Sequence, residues 1–192
     1  YDQIRQQSNQ LMTFTEVRTD ALTGVSNRRA MDDTLQSLVA MKNRYQLSFS
    51  LAIFDIDHFK SINDEQGHLA GDQMLQQVAR LIDETARETD IVTRYGGEEF
   101  VVLMPQTELG GATIFSERVR QAVERKLGIT LSAGAAEAND GELSDEVLHR
   151  ADAALYHAKS GGRNRVSRHT GQAVEAVSGQ DPVAPPAAAV PV

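Results

Sequence analysis

The stretch DIVTRYGGEEFVVLMP (90–105) places two short apolar runs on either side of Gly96-Gly97. Runs of this kind closed by a glycine pair read as an antiparallel hairpin with a two-residue turn, because glycine supplies the positive φ that such turns require. Elsewhere the chain alternates single apolar runs with amphipathic segments. A hairpin set inside a strand–helix alternation gives a mixed sheet covered by helices, an α/β sandwich.

The remaining elements fall around that hairpin. Asn27 caps a helix reaching about Asn43. LSFSLAIFD (47–55) is a strand buried in the sheet. LAGDQMLQQVARLIDETAR (69–87) carries Leu75, Val78, Ala79 and Ile82 at helical spacing. A helix is expected from Glu108 to about Glu124, and a strand of small residues over GITLSAGAA (128–136). Leu143 to Lys159 reads as an amphipathic helix stopped by Gly161-Gly162, and NRVSRH as a short last strand. Ahead of these, residues 1–18 show Ile4, Leu11, Phe14 and Val17 at helical, roughly heptad spacing, as in a linker helix or a dimerising stalk. Past Thr170 the chain turns to Ala, Val, Gly and Pro, with four of its five prolines. That stretch lacks periodicity and is expected to be disordered. The expected organisation is a helix over 1–18, one domain over 19–169 and a tail over 170–192.

Composition narrows the function. Apolar residues make up 41% and charged residues 24% of 192, enough for a globular core. The absence of cysteine excludes a disulfide scaffold, a thiolate metal site and a cysteine nucleophile. No apolar run is long enough to span a membrane, and no signal peptide is visible. The chain does not begin with Met, so it reads as the cytoplasmic part of a longer protein, which an upstream segment could still anchor to a membrane. A formal charge of −8 argues against a nucleic-acid partner. It does not argue against a nucleotide, since bound divalent cations reverse the local sign.

Three clusters carry chemistry. Glu98 and Glu99 follow the glycine pair and diverge by strand alternation; on an ordinary hairpin both would be solvated charges. FDIDHFKSIND (54–64) ends a buried strand with Asp55 and Asp57 on one face and Ile56 on the other. Carboxylates there are costly unless paired, hydrated or metal-bound. If this strand lies beside the hairpin, Asp55 and a hairpin glutamate converge. Such hard-oxygen ligands suit Mg²⁺ or Mn²⁺ and can hold one or two ions against a triphosphate. NDEQGHLAGD (63–72) offers Asn63, His68 and Asp72; an amide and a carboxylate can read guanine, although Asn63 also suits a turn and Asp72 a first helical turn. AKSGGRNR (158–165) offers Lys159 and Arg163 as phosphate ligands, or as cations complementing a helix C-terminus.

In these motifs the chain resembles the GGDEF domain of diguanylate cyclases, in its GGEEF form. The resemblance runs through DALTGVSNRR (20–29), FDIDHFKSINDEQGHLAGD (54–72), RYGGEEF (94–100) and ADAALYHAKSGGRNRV (151–166), in the family's order and spacing. It implies a central mixed five-stranded sheet flanked by helices, similar to the palm of nucleotidyl cyclases and polymerases. It implies a nucleotidyltransferase that joins two GTP into cyclic di-GMP at a homodimer, under an upstream sensor or regulatory domain. By the same resemblance Asp55, the Ile56 carbonyl and Glu98 would hold two Mg²⁺ or Mn²⁺ ions. Glu98 would also be the base for the 3′-hydroxyl, with Glu99 assisting. Asn63 and Asp72 would read guanine, with His68 and Phe59 lining the site. Lys60, Lys159, Arg163 and backbone N–H groups after the first strand would hold phosphates. Arg87 and Asp90 of RETD would form an inhibitory product site, with Arg118 as a cross-subunit contact. One departure is the connection RKL (125–127), shorter than the family usually has. Two other readings are a catalytically inactive receptor for GTP or cyclic di-GMP, and a cyclase making a monomeric cyclic nucleotide. Inactive domains usually lose an acid of the hairpin motif or the first-strand aspartate, and all are present here. The hairpin motif and the Asn63/Asp72 pair argue against the monomeric product.

Overall fold

The computed structural model describes residues 18–177. Seven strands form one sheet: β1 (Ser26–Asn27), β2 (Phe49–Ile56), β3 (Ile91–Arg94), β4 (Glu99–Pro105), β5 (Leu131–Glu137), β6 (Val166–His169) and β7 (Val174–Ala176). Among the described residues five helices accompany it: α1 (Arg28–Tyr45), α2 (Phe59–Gln66), α3 (His68–Thr85), α4 (Leu109–Leu127) and α5 (Ser144–Ser160). The strand order is β1-β3-β4-β2-β5-β6-β7. β2 lies antiparallel to both β4 and β5, while β1–β3 and β5–β6 are parallel, so the sheet is mixed as expected. It has seven strands rather than five. The two edge strands are too short to show a period in the sequence; they exist because they pair with β3 and β6.

All eight residues of β2 are buried, as a central strand covered on both faces must be. On one face Ala52, Phe54 and Ile56, with Phe100, Val102 and Met104, meet Leu75, Val78 and Ile82 of α3 and Val119 and Val123 of α4. Phe54 and Phe115 meet edge to face at 6.1 Å. On the other face Leu51, Ile53, Val101 and Leu103 meet Met31 and Leu35 of α1 and Val147 and Leu155 of α5. Asp55 continues this second row at the end of the strand. Asn27 caps α1 as expected, its Oδ1 accepting from the Ala30 N–H at 3.0 Å.

Beyond the strand number, three expectations are corrected. Gly128 does not start a strand; with φ 67 it is the left-handed C-cap of α4, and β5 begins at Leu131. The stretch after Thr170 is not structureless up to 177: β7 pairs with β6, the Val177 N–H donates to the Val166 carbonyl at 3.0 Å, and Val177 packs on the core. An otherwise open sheet edge is covered in this way. The turn of the hairpin also differs, as described below. Residues 1–17 of the helix expected over 1–18, and the tail beyond 177, lie outside the described residues. Among the described residues no helix is long and apolar enough to cross a membrane.

Candidate active site

The register of β2 brings the expected acids together. Asp55 stands opposite Glu99 on β4, and the Ile56 N–H donates to the Glu98 carbonyl at 3.3 Å. Asp55 is 5% exposed, and its Oδ2 lies 2.7 Å from Lys159 Nζ at the end of α5. Burial pushes the Asp55 carboxyl above its ordinary range against the pull of Lys159, and the Asp57 charge pushes it further. Burial likewise raises Glu98 and Glu99, and the Asp55 charge adds to both. Three carboxyls are therefore held against one another with Lys159 and Arg163 as nearby cations. This hard-oxygen donor set, three carboxyls against two cations, fits a divalent cation. Among the described residues no group of three His, Cys, Asp or Glu side chains is arranged as a ready metal cage; the expected set combines two side chains with the Ile56 carbonyl.

The position of Lys159 follows from a glycine elsewhere. A Cβ on Gly134 would lie 2.2 Å from both the Ala151 carbonyl oxygen and the Leu155 nitrogen. Its absence lets α5 press directly on β5, which sets the helix end over Asp55.

The hairpin loop has four residues, Tyr95 to Glu98, and neither Gly96 nor Gly97 has positive φ. This corrects the expected two-residue turn. Its hydrogen bonds explain the difference. The Tyr95 and Gly96 N–H groups both donate to the Glu99 carbonyl, at 2.8 and 3.2 Å, and Arg94 Nη2 donates to the Gly97 carbonyl at 2.9 Å. A Cβ on Gly96 would sit 2.6 Å from Glu99 Oε2, so the glycine leaves the Glu99 carboxylate free to lie where it does. Arg94 also pairs with Asp20 at 3.1 Å, and Asp20 accepts from the Thr23 N–H and hydroxyl. The turn after residue 19 is thus tied to the hairpin loop. Sequence reasoning gave Asp20 and Arg94 no role, although both lie in the quoted motifs. The Arg28 guanidinium stacks 4.6 Å from the Tyr95 ring centre and adds a cation near Glu99.

The other expected ligands divide. Phe59 is buried at the start of α2 and packs beside Gly71 of α3. The Asn63 carboxamide lies across the same glycine. Asp72 follows on α3 and is exposed, as are Lys60 and His68. Arg163 is exposed beyond α5, in left-handed backbone with φ 62. Asp57 does not join the acidic group; it accepts from Thr130, Ser132 and Asn164.

Arg87 and Asp90 sit past the end of α3, which closes at Thr85. They form a tight turn, in which the Arg87 N–H donates to Asp90 Oδ2 at 2.8 Å and the Asp90 N–H to the Arg87 carbonyl at 2.9 Å. Burial raises the Asp90 carboxyl. Asp90 lines a cleft of about 620 Å³ with Thr23, Gly24, Gln76, Arg80 and Asp83. Arg118 is exposed on α4, a separate helix.

Comparison with known proteins gives consistent matches. The family described as "Diguanylate cyclase, GGDEF domain" matches residues 17–165. The chain is 44% identical over 156 residues to diguanylate cyclase DgcP of Pseudomonas aeruginosa, covering 77% of this chain and 23% of that protein. It is 42% identical over 159 residues to response regulator PleD of Caulobacter vibrioides, covering 77% and 35%. Among solved structures, the coiled coil and GGDEF domain of DgcB from Caulobacter crescentus, in complex with c-di-GMP, superposes with a TM-score of 0.84 at 36% identity, over 87% of this chain and 93% of that one. The active GGEEF domain of a diguanylate cyclase from Vibrio cholerae gives 0.71 at 32% identity, over 75% and 97%. The chain spans half or less of the length of the curated relatives it matches, from 23% to 50%.

Proposed function

Since the chain belongs to the diguanylate cyclase GGDEF-domain family, we propose that it condenses two molecules of GTP into cyclic di-GMP, releasing two pyrophosphates. The observation that carries this reading is the gathering of Asp55, Glu98 and Glu99 at the end of β2, beneath Lys159. In each of two steps the 3′-oxygen of one GTP attacks the α-phosphorus of the other. The new P–O bond forms as the bond to the β-phosphate oxygen breaks, and pyrophosphate leaves. Glu98 takes the 3′-hydroxyl proton; its raised affinity for a proton, from burial and the Asp55 charge, suits a base working near neutral pH. Glu99 faces Asp55 across the strands and holds the acidic field in place. Lys60, Lys159, Arg163 and the N–H groups at the start of α2 bind phosphates. Asn63 and Asp72 read guanine, with His68 and Phe59 lining the pocket. Mg²⁺ or Mn²⁺, two per site, would be held by Asp55, the Ile56 carbonyl and Glu98, and would supply charge neutralisation at the triphosphate.

Each domain binds one GTP and the product is two-fold symmetric, so two domains face each other during the reaction. Arg87 and Asp90, with Arg118 of the opposite copy, take product and slow the enzyme. The DgcB structure was obtained with c-di-GMP and a coiled coil, which supports both the product site and a stalk over 1–18. An upstream sensor or regulatory domain and a cytoplasmic setting, where GTP is available, complete the proposal.

Incubation with GTP and Mg²⁺, followed by chromatography and mass spectrometry, tests it. Cyclic di-GMP and pyrophosphate are expected in a one-to-two ratio. Glu98→Gln keeps the shape and removes the base, and is expected to lower kcat at least about 10³-fold with folding intact. A folded variant retaining more than roughly a tenth of the rate overturns the assignment. Tight GTP binding by the wild type without product would favour the inactive-receptor reading.

A further inference from the structure

The Asp57 carboxylate is 4% exposed and gathers donors from distant parts of the chain. Thr130 Oγ1 donates to its Oδ2 at 2.8 Å and Ser132 Oγ to its Oδ1 at 2.8 Å. The backbone N–H of Asn164 donates to Oδ2 at 3.0 Å. Asn164 is held from its other side as well. Its Oδ1 accepts from Arg120 Nη1 at 2.7 Å, and its Nδ2 donates to Glu124 Oε1 at 2.8 Å. Arg120 is itself fixed by Glu117 and Glu124 along α4. These bonds converge on a turn with unusual backbone: Arg163 and Asn164 are consecutive left-handed residues, with φ 62 and 46, and neither is glycine. A side chain disfavours that conformation, so the surroundings impose it. The chain closes the turn further through the Arg163 N–H to the Ala158 carbonyl at 3.1 Å and Arg165 Nε to the Arg163 carbonyl at 3.1 Å. Arg163 itself stays exposed at the acidic centre.

We propose that Asp57 and Asn164 are positioning residues that lock the left-handed turn at Arg163 and Asn164 and thereby aim Arg163 at the substrate phosphates. The inference rests on the GTP reading above. A carboxylate suits the task because it accepts all three donors at once, whereas an amide must turn a donor of its own toward one of them. On this account Arg163 binds phosphate well only while the turn is imposed.

The test is a double-mutant cycle on KM for GTP, measured from initial rates with thermal melts as a check on folding. Arg163→Ala is expected to raise KM about tenfold in the wild-type background and less than about threefold in Asn164→Ala, with kcat changing less than KM. Asn164→Gly keeps the N–H for Asp57 and adopts φ near +46° freely, so it is expected to restore KM toward the wild type relative to Asn164→Ala. Thr130→Val removes one donor to Asp57 and spares the Asn164 bond; it is expected to lower the melting temperature and leave KM unchanged. Equal effects of Arg163→Ala in both backgrounds, or an Asn164→Gly no better than Asn164→Ala, overturn the inference while the GTP reading stands. A wild type that makes no product from GTP overturns both.

Discussion

Gly71 leaves no room for a methyl group. A Cβ there would lie 1.9 Å from Asn63 Oδ1 and 3.2 Å from Phe59 Cζ. Gly71→Ala must therefore push the Asn63 carboxamide aside, and with it one of the two groups assigned to guanine. KM for GTP is expected to rise about tenfold, and the preference over ATP to narrow, because a pocket reads a base through polar groups that the wrong base leaves unpaired. Initial rates with both nucleotides check this; unchanged discrimination would remove Asn63 from the base-reading role. Glu98 makes a different kind of prediction. Its proton affinity is raised in the folded chain by burial and then by Asp55. A group with a raised folded pKa contributes stability in full below its unfolded value, and loses it as pH rises through the folded value. Glu98→Gln is therefore expected to melt higher than the wild type at pH 7 in metal-free buffer, and to lose that advantage below about pH 4. A variant that is more stable and yet inactive is the signature of an acid kept for chemistry; the same melting difference at both pH values would contradict it.

At the scale of elements, β5 and α5 set the position of Lys159. Gly134 lies in contact with α5 backbone, which cannot move aside as a flexible side chain would. Gly134→Ala is expected to cost about 1–3 kcal/mol by forcing the helix off the sheet, and to lower kcat by moving Lys159 away from the phosphates it is proposed to hold. Denaturant unfolding and steady-state rates check the two effects together. A stability loss with kcat untouched would mean that α5 reseats without disturbing the site. These elements were largely legible beforehand, because the helical period of Leu75, Val78 and Ile82 and the closed apolar run of β2 each leave one way to bury their faces. Alternation along β2 set Asp55 toward a hairpin glutamate; that Glu99 is the one opposite it comes from the register. What was not legible depends on partners far away in the chain. The hairpin loop takes its form from Arg94 and Asp20, 74 residues apart. β1 and β7 are strands only because an edge receives them. Asp57 had no assigned partner until the fold brought Ser132, 75 residues away, to donate to it.

For the whole molecule, the proposed reaction, a two-fold symmetric product made from one GTP per domain, would require association. Specific activity is expected to rise with protein concentration, and to fall when residues 1–18 are removed. Activity that stays flat down to concentrations where light scattering shows only monomer would contradict this. Arg87→Ala is expected to leave the initial rate nearly unchanged and to weaken product binding by about 5- to 150-fold, the range of ordinary allosteric coupling; equal calorimetric affinities for wild type and variant would remove the inhibitory site. The most direct test of the central claim is a crystal structure of the chain with Mg²⁺ and a GTP analogue lacking the 3′-hydroxyl. The account predicts guanine between Asn63 and Asp72, metal on Asp55, the Ile56 carbonyl and Glu98, and Lys159 drawn from Asp55 to the phosphates. Nucleotide bound elsewhere, with Lys159 still paired to Asp55, would contradict it.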